Sequence, residues 1–172
     1  MRREISWRLA GAAAIAGGLI DLVGPLAYPH LSDPLRHSTY VLIDVLLLLG
    51  LIGVQSMARE ALGWPGLVGF VIAVTGILLV RSSTAGIFGP ASYMIASSIW
   101  SIGMVVIGAT LLARKGPFRV ASALWIATLV IGLVALALKD QGPVHRVAAW
   151  CFALGFVAAG VILVKPSSRA AS

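Results

Sequence analysis

The chain has 172 residues, of which 59% are hydrophobic and 11% charged, and a mean hydropathy of +1.00; soluble globular domains lie outside that range, so the sequence reads as an integral membrane protein. The formal charge of +7 comes from basic residues at the ends of apolar runs, which argues against nucleic-acid binding and for topology signals. The single cysteine, Cys151 in "AAWCFALGF", excludes an internal disulfide framework or a thiolate metal cluster and reads as a small buried hydrophobe.

"MRREISWRLAGAAAIAGGLI" has the basic start of a secretory signal. Its apolar run is nearer span length, contains Asp21 and lacks a small-x-small cleavage site, so it is read as a retained first helix anchored by Arg2 and Arg3. About 20 apolar residues cross ~30 Å of hydrocarbon as a helix. Six windows are read as spans: Trp7–Tyr28, Tyr40–Met57, Gly66–Val80, Ala91–Ala113, Phe118–Leu138 and Val144–Val164, the third being the shortest and open to extension into "RSSTAG". Between them lie turn-rich pieces, "YPHLSDPLRHS", "REALGWPG", "GIFGPAS", "RKGPFR" and "KDQGPVH", with the Gly or Pro expected where helices stop. The expected fold is an all-α, six-transmembrane-helix bundle forming one polytopic membrane domain over residues 1–172.

Charge orients it. With the N-terminus inside, Arg2, Arg3, Arg8, Arg59, Arg114, Lys115, Arg119, Lys165 and Arg169 are cytoplasmic, and Arg36, Arg81, Lys139 and Arg146 are outside. The excess on the first side places both termini in the cytoplasm. Short loops and an Ala/Gly/Leu/Val bias fit the plasma membrane of a bacterial-type cell. "GLIGVQSMAR", "GMVVIGATLLARK" and "GFVAAGVILVK" share a Gly-spaced, basic-ending form, consistent either with three two-helix repeats or with ordinary helix-packing glycines.

Polarity is uneven along the spans. The outer end carries Asp21, Asp33, Asp44, Asp140, His30, His37 and His145, with Arg81 and the hydroxyls of Ser82, Ser83, Thr84, Ser97, Ser98 and Ser101. The inner end carries only Gln55, Ser56, Thr75, Thr110 and Ser122 within the spans. Tyr93, Ser97 and Ser101 recur at i, i+4 and i+8 on one helix face, and Tyr40 shares a face with Asp44.

A carboxylate near the hydrocarbon core costs about 2.5–3.5 kcal/mol at the helix centre, so it turns inward and pairs. Arg81 is the natural partner for Asp21 and Asp44. Two carboxylates beside one cation do not both ionise cheaply in low dielectric, which would leave one as a general acid. The expected catalytic set is therefore Asp21, Asp44 and Arg81, with Tyr40, Tyr93, Ser97, Ser101 and His37 as substrate-binding residues. An Asp–Arg pair that merely fixes helix register is the competing reading.

His30 and His37 lack the i, i+4 spacing of a helical zinc site, and no span has a central histidine for haem, so neither metal nor cofactor is expected. The glycine-rich runs lack a phosphate-loop context. Three functions are carried forward. One is a non-redox membrane enzyme or binding protein for a lipophilic small molecule from the bilayer, performing acid–base isomerisation, cyclisation or hydrolysis. The second is a non-catalytic membrane subunit of a larger complex. The third is a transporter or channel acting as a homo-oligomer, disfavoured because the inner half has no acid or base to continue a route.

Overall fold

The computed structural model describes residues 2–86, 88–139 and 142–165. Asp140 and Arg169, counted above, lie outside them, as do the side chains of Arg2, Arg3 and Thr84. Six helices run α1 Arg2–Ala27, α2 Asp33–Met57, α3 Arg59–Ser82, α4 Ser92–Ala113, α5 Arg119–Ala137 and α6 Pro143–Val164. All six are long and apolar enough to cross a membrane. The shortest, α5, has 19 residues, about 28 Å at 1.5 Å per residue. In lipid a helix satisfies its own backbone, which is why so apolar a chain takes this form.

Two boundaries differ from the sequence reading. The segment read as a loop before Tyr40 is helical from Asp33 onward. Pro34 sits in the first turn, where its missing N–H would have no helical acceptor anyway, and the Ser38 and Thr39 hydroxyls donate back to the Pro34 and Leu35 carbonyls at 2.9 Å. The third helix begins at Arg59 rather than Gly66, but it is broken at Gly63, whose φ of 52° and ψ of −150° are non-helical. Pro65 follows two residues later, and the break turns one short amphiphilic stretch away from the main span. Trp64 at this corner is 74% exposed, as suits an interfacial aromatic.

The helices close into a ring in sequence order, α1 and α6 completing it, with α2 also touching α6. The α3–α4 and α1–α6 seams are the closest and α2–α3 is the loosest. Large side chains from every side fill the middle, among them Leu47, Leu62, Met104, Trp125 and Phe156, each 1% exposed or less. Trp125 and Phe156 pack at 5.4 Å between ring centroids, and Phe152 continues the row toward Trp100 at 4.7 Å.

Glycine sets the tight seams. A Cβ on Gly103 would lie 2.3 Å from the Ala73 backbone nitrogen, and one on Gly76 would lie 2.3 Å from that of Trp100. On the opposite side Gly11 and Gly160 each face the other's carbonyl, at 2.8 and 2.6 Å from an added Cβ. Backbones meet there because no side chain intervenes, the usual source of helix affinity in lipid.

Gly103→Ala is accordingly expected to lower stability by about 1–3 kcal/mol through overpacking. Gly132→Ala, where an added Cβ meets nothing within 4 Å, should be neutral or stabilising by up to about 1 kcal/mol, because alanine is the better helix former. Thermal unfolding of the two variants in detergent, followed by tryptophan fluorescence, separates them; equal shifts would show that seam contact is not what holds α3 to α4.

Candidate functional site

Because helices alternate direction, the C-terminal ends of α1 and α3 and the N-terminal ends of α2, α4 and α6 share one end of the ring. The residues singled out for polarity gather there in two groups.

The first group joins α2 to α3. The Arg81 guanidinium is ion-paired to the Asp44 carboxylate, with side-chain exposures of 34% and 12%. Arg81 also lies over the Tyr40 ring, 5.7 Å from its centroid, and Tyr40 meets Tyr28 edge-on at 4.6 Å. Tyr28 in turn folds back over Gly24, where an added Cβ would fall 2.1 Å from its hydroxyl oxygen. Asp44, Arg81, Tyr40 and Tyr28 thus form a stacked plug across the loosest seam. A partly buried guanidinium both pairs and stacks there, which a lysine ammonium would do less well.

The second group is a partly open cleft of about 340 Å³ between α4, α5 and α6, to which α1 contributes Asp21. From α4 come Tyr93, Met94, Ser97, Ser98, Trp100 and Ser101. The walls from α5 include Thr128, Gly132 and Leu133, and those from α6 include His145 and Phe152. Gly17 faces α2 and Gly18 faces α6; Asp21, one turn on, points between those directions, into the ring. On α4, Trp100 and Gly103 abut α3, and Ser97 and Ser101 lie roughly a third of a turn around from that contact, toward α5 and α6.

The expected catalytic trio is therefore divided. Arg81 takes Asp44, while Asp21 makes no hydrogen bond or ion pair among the described residues. Of the expected binding residues, Tyr93, Ser97 and Ser101 line the cleft, and Tyr40 belongs to the plug. His37 is on the exposed first turns of α2, its Nδ1 2.7 Å from the Asp33 carbonyl oxygen, beside an Arg36–Asp33 pair at 2.5 Å.

Sequence reasoning missed Trp100, Thr128, Gly132 and Phe152. Their neighbourhood reads as plain apolar span, and no local signal distinguishes a cleft wall from a lipid-facing side. The polar residues toward the other end of the ring are scattered: Trp7 donates to the Ser56 hydroxyl at 3.2 Å, and Ser122 is buried in the core without a hydrogen-bond partner among the described residues.

Comparison with known proteins gives no match to a family model, a curated protein or a solved structure.

Breaking this partly buried pair from one side leaves an uncompensated charge. Arg81→Met, which strands the more buried Asp44, should cost about 3 kcal/mol, and Asp44→Asn, which strands the 34% exposed Arg81, should cost less, whereas Asp44→Leu combined with Arg81→Met should recover most of the loss. Unfolding of the three variants in detergent tests this; single variants as stable as the parent chain would reduce the pair to a surface-type contact.

Proposed function

We propose that the protein is a multi-pass membrane protein that binds a lipophilic small molecule in the α4–α5–α6 cleft, with Asp21 as the polar group that engages it. One observation carries this reading: a cavity of about 340 Å³, within the size range of small-molecule sites, joins apolar walls to a few polar groups that include an unpaired carboxylate. Met94, Leu133 and Leu136 on its lining are 49%, 56% and 52% exposed. That apolar rim favours entry from the bilayer rather than from water.

Within this reading Asp21 is the candidate acid or base for isomerisation, cyclisation or hydrolysis, and a binding protein would use it as a recognition group. The Asp44–Arg81 pair acts as a positioning element, holding α2 and α3 beside the cleft, rather than as a second catalytic group. The excess of arginine and lysine at the opposite end supports cytoplasmic termini in a plasma membrane, with the cleft opening toward the outer leaflet.

Gly132 provides the test, because it lines the cleft and has open space in front of it. Gly132→Leu should fill the cleft without disturbing the fold. Photolabelling the solubilised chain with 3-trifluoromethyl-3-phenyldiazirine should mark Trp100 and Phe152 in the parent and at least fivefold less in Gly132→Leu, while exposed Val71 and Leu9 are labelled equally in both. Equal labelling of Trp100 and Phe152 in the two chains would sink the proposal.

A further inference from the structure

Resting on the cleft being a small-molecule site, we infer that its ligand is a lipophilic organic cation, an ammonium carried on an apolar or aromatic body, with Asp21 as the counter-ion. Two arginines of this end already have partners. Arg81 is committed to Asp44 and Tyr40, and Arg36 is committed to Asp33. Neither Lys139 nor Arg146 lines the cleft. His145 is on the lining, but among the described residues no lysine or arginine is, so Asp21 faces the cavity without a guanidinium or ammonium beside it.

The hydroxyls point the same way. Ser97 and Ser98 donate their hydrogens to the Met94 carbonyl at 3.1 and 2.8 Å, and Thr128 donates to the Leu124 carbonyl at 2.9 Å. With those hydrogens used, what these side chains offer the cleft is lone pairs. Donors remain at Ser101, Tyr93, His145 and the Trp100 Nε1–H, which has no acceptor among the described residues, but an anionic ligand would meet the Asp21 carboxylate with no lysine or arginine on the lining to offset the repulsion. A cation meets a counter-ion, acceptors and aromatic faces on Tyr93, Trp100 and Phe152, the surroundings that recognise alkylated ammonium groups. An alkylated ammonium is also weakly hydrated, so it loses little on leaving water for a site in the bilayer, and pairing with Asp21 offsets the desolvation of both.

Charge-graded probes on the detergent-solubilised full chain test this by titration calorimetry. Benzyltriethylammonium should bind at least tenfold more tightly than benzyl alcohol, and phenylacetate should not bind measurably. Asp21→Asn should weaken the cation at least tenfold, about 1.4 kcal/mol, leave benzyl alcohol unchanged, and be rescued by Asp21→Glu. Gly132→Leu should weaken cation and alcohol together.

Cation binding no tighter than alcohol binding, or indifferent to Asp21→Asn, overturns the charge inference, yet leaves the cleft reading standing if Gly132→Leu still weakens alcohol binding. Failure of all three probes overturns both. Should Asp21→Asn not yield folded protein, dicyclohexylcarbodiimide modification of Asp21 in the parent chain is read by mass spectrometry. Benzyltriethylammonium should slow it at least fivefold and benzyl alcohol should not; no protection by the cation overturns the inference.

Discussion

The structure depends on how closely α3 and α4 approach. At that seam Gly76 and Gly103 bring one backbone against the other, and dispersion contact, rather than a hydrophobic drive, holds helices together in an apolar solvent. The contact also fixes the rotation of α4 about its axis. With Gly103 and the backbone at Trp100 set against α3, the stripe of Tyr93, Ser97 and Ser101 is turned toward the gap between α4, α5 and α6. A seam that appears purely structural therefore decides which side chains line the cleft.

The α2–α3 junction is held by different physics. It is the loosest seam of the ring, and it is closed at one end by a charge pair whose arginine lies over Tyr40, which Tyr28 meets edge-on. Glycine contacts supply adhesion with little directionality, whereas an ion pair in a dry environment is costly unless its geometry is met, so it acts as a register lock. Having captured Arg81, Asp44 is tied to that role. Asp21, one helix away, has no ion-pair or hydrogen-bond partner among the described residues.

The division of labour between the two aspartates bears on the chemistry available. A tied carboxylate resists a change of partner, since any other arrangement strands the arginine. An untied one beside a cavity is free to meet an incoming group. The aromatic row Trp100–Phe152–Phe156–Trp125 runs from the cleft into the core, so the cleft has a rigid inner end and a rim of exposed aliphatic side chains.

Much of this was legible in the residues themselves. Apolar windows of span length force helices, because nothing else satisfies a lone backbone in lipid, and the i, i+4, i+8 hydroxyl spacing placed Tyr93, Ser97 and Ser101 on one face whatever they faced. The cost of an unpaired charge made Arg81 a partner for one aspartate, but the choice of Asp44 over Asp21 depends on which helices are neighbours, and that is settled by packing between segments far apart in sequence. The cleft walls on α5 and α6 were illegible for a related reason. A leucine against lipid and a leucine against a cavity look alike in one dimension, and only the ring closure of α1 on α6, through Gly11 and Gly160, brings Asp21 to the place where those walls open.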